Sequence, residues 1–229
     1  MSSLLAAAAA FLAAHFVIAG WRDVVARLIG TRTSVGVTAL LIGATFVWMC
    51  FAYVAARQAG PAIYWHATPM TTWIQFGLTF IAFLFIVPGR LVRNPATVFQ
   101  ADALDRADIV HGVLRITRHP YLWGVALWAA GHVLVSGDAA GLVLFGAILA
   151  LAVLGTFGID SKRRRLYGDK WDAFTRETSN IPFAAIIAGR QSLKLGEIGW
   201  QRIALAIASW AALFLAHSYL FGAAPATLT

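Results

Sequence analysis

The sequence predicts an all-α bundle of about six membrane-spanning helices, and three observations predict it. Sixty per cent of the 229 residues are hydrophobic and only 12% are charged, about half the charged share of a soluble domain. Mean hydropathy is +0.74. Six apolar runs are each long enough to cross a hydrocarbon core, which takes about 20 helical residues. The same composition excludes disorder, and the length fits one domain, 1–229. One cysteine, Cys50, excludes an internal disulfide framework and any cysteine-based metal cluster.

The spans fall at about 3–21, 35–56, 71–89, 119–136, 139–159 and 202–222. None contains Asp, Glu, Lys or Arg except at cationic ends. The first run lacks a basic segment ahead of it and leads straight into Trp21-Arg22, so it reads as a retained span, not a cleaved signal. Six spans place both termini on one side. Of the 18 Lys and Arg residues, all but Arg57 lie in the segments after spans one, three and five. By the positive-inside rule these segments are cytoplasmic and both termini are periplasmic. The net charge of +8 is thereby explained by the bilayer, with no nucleic-acid partner. Trp21, Trp73, Trp123 and Trp200 sit near span ends, where an amphipathic ring suits the headgroup layer.

Two of the cytoplasmic segments are long. Residues 90–118 hold Asn94-Pro95 and then the apolar stretch Ile109–Leu114. Residues 160–201 carry an Arg-rich start with Leu166, Trp171 and Phe174 spaced by three to five. That spacing predicts an amphipathic helix on the membrane surface, its basic side toward anionic lipid.

Ionisable side chains inside a bilayer are costly and point to function. Tyrosines and Cys50 aside, those well inside the spans are His15, His132 and His217. At a rise of about 1.5 Å per residue, His15 lies about 16 Å below Leu4 and His132 about 16 Å above Tyr121. Both come near the middle of a core about 30 Å thick. His217 lies about 22 Å above Arg202, nearer the outer surface. Two imidazoles at one depth on separate helices suit a bis-histidine b-type haem. The alternative for each is a hydrogen bond to a carbonyl of a neighbouring helix, and that is the reading for His217. Gly124, Trp128, His132 and Ser136 recur at i+4, and Ala8, Phe11, His15 and Ala19 form a similar stripe. No Cys-x-x-Cys-His is present, so covalent haem is excluded. His66 reads as solvated and His111 as packed at the membrane surface.

The stretch Arg118-His119-Pro120-Tyr121-Leu122-Trp123-Gly124 opens span four. Proline is favoured in a first helical turn, and a cation suits the inner boundary. A functional reading makes Arg118, His119 and the basic run 162–165 a polar pocket at the inner surface.

Arg115-Ile116-Thr117-Arg118-His119-Pro120, Trp128, Gly131-His132 and the run Ile181–Gln191 resemble the NnrU family, which includes the 15-cis-zeta-carotene isomerases. Ala14-His15-Phe16 followed by Arg22-Asp23 fits the same pattern, and the likeness covers roughly residues 10–220. The resemblance implies an integral membrane protein binding haem b through His15 and His132, and the i+4 face would put Gly124 and Trp128 beside that cofactor. It implies cis-trans isomerisation of an apolar polyene, or redox or sensing chemistry linked to nitric oxide and denitrification. The isomerases carry a cysteine near the second ligand, whereas residues 128–132 here have none. A chloroplast-targeting extension is also absent, which implies a bacterial inner membrane. Gly168, Trp171, Phe174 and Pro182, with the Arg-His-Pro stretch, are similar to the isoprenylcysteine carboxyl methyltransferases. That alternative implies methyl transfer from S-adenosylmethionine. Their paired glutamates are replaced here by Asp160-Ser161, which favours a shared scaffold over shared chemistry.

Overall fold

The computed structural model describes residues 1–222, with 18–20, 22 and 23 as backbone only. The side chains of Ala19, Arg22 and Asp23 lie outside the described residues, as does the end of the 1–229 domain. The helices are α1 (Ser2–Ala13), α2 (Ala19–Ile29), α3 (Thr31–Gln58), α4 (Pro69–Leu91), α5 (Pro120–Val135), α6 (Ala139–Tyr167), α7 (Asp169–Glu177), α8 (Ala184–Ile187) and α9 (Trp200–Phe221). A π-helical turn, Ala14–Ile18, joins α1 to α2. By length and composition α3, α4, α6 and α9 can cross a membrane, and the shorter apolar segments Ser2–Val17 and Pro120–Val135 occupy the other two predicted spans. The chain is therefore an all-α membrane bundle.

Local signals set the helix ends. Gly30 adopts φ 82° between α2 and α3, a conformation open to glycine. Thr68 and Thr71 cap α4 reciprocally: Thr71 N–H donates to Thr68 Oγ1 at 3.2 Å, and Thr68 N–H to Thr71 Oγ1 at 2.8 Å. Asp138 caps α6, accepting from the amides of Ala140 and Gly141 at 3.0 and 2.9 Å. Asp138 also pairs with Arg57 at the end of α3. This answers why one cation stands apart from the basic segments: it joins the ends of α3 and α6.

The first span differs from its predicted limit. Residues 2–29 run as one helical rod of about 42 Å, so Trp21 lies within a helix, not at a helix end. Trp21, Trp73 and Trp200 are exposed. Trp123 instead turns into the protein and donates to the Asn180 carbonyl at 2.8 Å.

Helix α1 packs on α3 and α6, α5 packs on α4 and α6, and α9 packs on α4. One core joins Leu4, Ala7, Ala8 and Phe11 of α1 to Met49, Ala52 and Ala56 of α3 and Ala140, Leu144 and Phe145 of α6. Lipid tails are as apolar as these side chains, so close packing of small residues holds such helices together. The α4–α5 contact shows this best. A Cβ on Gly124 would stand 2.7 Å from the Ala82 carbonyl oxygen and 2.9 Å from the Ile86 nitrogen; one on Gly89 would stand 2.6 Å from the Tyr121 nitrogen. The α4–α9 seam is aromatic, with Phe76 ring centroids 4.7 Å from Trp210 and 5.5 Å from Phe214.

On the basic face, α7 is amphipathic as its spacing predicts, but its apolar residues do not lie on lipid. Trp171 and Phe174 are buried beneath Val92, Ala103, Ile109, Val113 and Leu114 of the segment after α4. The two long basic segments thus cover each other's apolar faces, a partnership invisible to periodicity because they are far apart in sequence.

Gly124→Ala is expected to force α4 and α5 apart, since backbone atoms cannot yield as a side chain can, and to destabilise by about 1–3 kcal/mol. Gly158→Ala, where a Cβ meets nothing within 4 Å, is the comparison. Thermal unfolding in detergent should show a lowered midpoint for the first and none for the second.

Candidate functional site

Two sets of polar side chains lie within this apolar frame, one at its basic end and one among the helices. The basic-end set converges on Asp160, near the end of the apolar part of α6. Its carboxylate accepts from Arg118 Nε at 2.9 Å and Arg118 Nη2 at 2.5 Å. It also accepts from His119 Nε2 at 2.7 Å and Asn180 Nδ2 at 2.9 Å. His119 is buried at the start of α5. Because a carboxylate oxygen can only accept, the His119 ring carries a proton on Nε2. Around this hub the backbone is stitched together. Arg118 N–H donates to the Ser179 carbonyl at 2.9 Å, Thr117 Oγ1 to the Asn180 carbonyl at 2.5 Å, and Asn94 Nδ2 to the Arg118 carbonyl at 2.9 Å.

Arg118 and His119 thus meet on one carboxylate but face different surroundings. Arg118 lines an open cleft together with Arg164 of the predicted basic run, while His119 is packed beneath, on Asp160. Four donor groups engage Asp160, leaving the carboxylate no ready role as a free base. Sequence reasoning placed Asp160 only as a replacement for a glutamate. The available signal was an acidic residue closing an apolar span directly before Lys162–Arg165.

Arg115 makes a second joint. Its guanidinium grips Glu197 at 2.7 and 3.1 Å and donates to Gln191 Oε1 at 2.5 Å, while Gly112 N–H donates to Glu197 at 3.0 Å. These bonds hold the Glu197 carboxyl down at about 2, with Arg115 the main cause.

The second set is intramembrane. His15 lies in the π-helical turn, where its Nδ1–H donates to the Phe11 carbonyl at 2.9 Å. His132 Nδ1–H donates to the Trp128 carbonyl at 2.8 Å. Both partners lie one turn back on the same helix, not on a neighbour. In each ring the bond fixes the proton on Nδ1 and leaves Nε2 with its lone pair, the state a metal-binding imidazole needs. His132 packs between Trp128 and Phe145, at ring centroids of 4.3 and 4.8 Å. His217 is an electrostatic neighbour of His132.

Depth differs from the sequence estimate. Helix α5 ends at Val135, so His132 stands one turn from that end. Phe145, its neighbour, meets Tyr53 of α3; Phe11 meets Phe46 of α3, and His15 is one turn beyond. Measured along α3, the levels of the two histidines are about eleven residues apart, roughly 16 Å. The rings lean toward each other's level, because each bonds a carbonyl nearer its own helix N terminus and the two helices start from opposite faces. Both flank α6. Gly124, by contrast, faces α4. His66 is exposed and His111 half-buried. Among the described residues no three His, Cys, Asp or Glu side chains converge as a metal cluster.

The fold and these sites define a polytopic helical membrane protein with histidines on its apolar helices and a hydrogen-bonded cluster at its basic face. The NnrU family profile, described as "NnrU protein", matches residues 3–225, and the chain belongs to that family. It is 27% identical over 191 residues to the 15-cis-zeta-carotene isomerase, chloroplastic, of Arabidopsis thaliana, covering 80% of this chain and 50% of that protein. It is 30% identical over 118 residues to the protein of the same name from Zea mays, covering 50% of this chain and 31% of that protein. The chain thus matches half or less of the length of these relatives. No solved structure matches it.

The Glu197 joint yields a pH prediction. A carboxyl depressed in the folded state stabilises above its unfolded pKa of about 4.5 and loses that contribution as pH falls toward about 2. The stability gap between wild type and Glu197→Gln should be constant from pH 7 to 5.5 and close progressively below 4.5, as read by thermal midpoints in detergent.

Proposed function

We propose that this protein is a membrane isomerase that converts a cis double bond of an apolar polyene such as 15-cis-zeta-carotene, with haem b held by His15 and His132. The named activity of the two plant relatives, on this family scaffold, supports the isomerase reading. One observation carries the ligand reading: two imidazoles, both with Nδ1 engaged by a carbonyl and Nε2 left as a donor atom, lean toward a common level beside α6. The donor set fits the cofactor. Two neutral imidazoles with free Nε2 lone pairs are the donor set that a b-type haem takes. Bound haem supplies a redox-active iron in an apolar surround. Trp128 and Phe145 give His132 an aromatic wall that excludes water from its ring, and ligation offsets the cost of burying an imidazole there.

The proximity of His217 to His132 supports a second reading, in which α9 supplies the other ligand. The absorption spectrum of purified protein separates the two. His132→Ala should abolish the low-spin spectrum of reduced haem. His15→Ala should do the same, and His217→Ala should leave it unchanged. Loss with His217→Ala and retention with His15→Ala would move the second ligand to α9. His66→Ala is the inert comparison. The activity itself is tested by incubating reduced, haem-loaded protein with 15-cis-zeta-carotene and resolving the isomers by chromatography. Conversion supports the reading, and no conversion by haem-loaded protein refutes it.

A further inference from the structure

The cleft on the basic face is not accounted for by polyene chemistry. It encloses about 380 Å³ and is lined by Arg118, Arg164, Arg190, Asn180, Phe157 and Ile181, among others. Arg118 is paired with Asp160, and Arg164 with Asp172 at 2.7 Å. Arg190 Nη1 donates to backbone carbonyls, those of Arg176 at 2.5 Å and Thr178 at 3.0 Å. Three guanidiniums against two carboxylates leave one positive charge, which matches a monoanion.

A second feature is independent of charge. Asn180 is 9% exposed, and its Oδ1 is buried without a hydrogen-bond partner, although its Nδ2 is engaged by Asp160. An unmet buried acceptor costs free energy and calls for a donor. A ligand suited to this cleft therefore carries one negative charge and a hydrogen-bond donor close by. The third feature is position. The cleft begins at Phe157, in the apolar part of α6, and reaches Arg164 two turns further on. Phe157 and Ile181 are 52% and 56% exposed, so the cleft opens between apolar side chains at the level where α6 passes from apolar to basic.

We propose that this cleft binds the head group of an anionic phospholipid whose phosphodiester is followed by a hydroxyl, the phosphatidylglycerol type. The phosphate lies against Arg164 and Arg190, the hydroxyl donates to Asn180 Oδ1, and the acyl chains leave past Phe157 and Ile181. The chemistry shared with free phosphate is the monoanion on arginine; the hydroxyl and the tails distinguish the lipid.

The test is native mass spectrometry of the delipidated full-length protein titrated with dioleoyl phosphatidylglycerol, dioleoyl phosphatidylcholine and inorganic phosphate. Phosphatidylcholine has the same phosphodiester but no donor on its head group. One phosphatidylglycerol is expected to bind, with about tenfold weaker phosphatidylcholine binding. Arg164→Gln and Arg190→Gln should each weaken phosphatidylglycerol about tenfold. Arg165→Gln, an exposed neighbour that does not line the cleft, should change it less than about twofold. Arg164 is solvent-facing, so its loss tests the site without threatening the fold, and the lipid preference of wild type needs no variant. Equal binding of the two lipids would overturn the role of Asn180. Displacement of phosphatidylglycerol by millimolar phosphate would assign the site to the free ion. Equal weakening by Arg165→Gln would show diffuse attraction to a basic face and refute a built site.

Discussion

The structure depends on one carboxylate. Asp160 sits where α6 leaves its apolar stretch, and Arg118, His119 and Asn180 all turn their donors on it. Removing a charge from water is costly, and only multiple well-placed partners offset it. Asp160 and Arg118 retain 18% and 12% side-chain exposure, so the pair is largely desolvated and its geometry is demanding. Those demands fix three things together: the entry of α5, the depth of α6 and the course of the chain after α7. The short 136–138 turn ties α5 to α6 at one end, and this clamp ties them at the other.

From that fixed point the rest follows by helical rise. With α5 anchored at its start, His132 is carried twelve residues onward to the face of Phe145. With α6 anchored at the same carboxylate, Asp138 reaches Arg57 and closes the opposite end. Helix α1 then fits against both α3 and α6, and its π-helical turn sets the direction of His15. An extra residue in a helical turn re-aims a side chain, and such turns are frequent at functional positions. The polar clamp and the two histidines are thus separate parts of the bundle, with α5 carrying His119 at its start and His132 near its end.

Much of this was legible in the sequence. The six apolar runs, the entry of α5 at Pro120 and the polar role of Arg118 all come from composition and spacing. The misses share a physical cause, which is that partners distant in sequence leave no local mark. Arg57 finds Asp138, Arg115 finds Glu197, and the apolar face of α7 finds the segment after α4. The end of α5 was legible to within a residue, but its anchor was not: the turn at 136–138 meets residues 63–65, with Gly137 accepting from the amides of Tyr64 and Trp65. Gly124 reads as room for a cofactor but faces α4, since i+4 spacing drifts around a helix. No pattern in Ala14–Ile18 announces a π-helical turn.

The dependence on Asp160 is tested most directly by a double-mutant cycle between Arg118→Met and Asp160→Leu, measured by denaturant unfolding in detergent. Each single change leaves a buried partner unmet and should cost about 3 kcal/mol. The double change should cost less than their sum, with a coupling of about 1–3 kcal/mol. Additive losses, with coupling under about 0.5 kcal/mol, would contradict the account: Asp160 would then be one polar contact among many, and the register of α5 on α6 would have another origin.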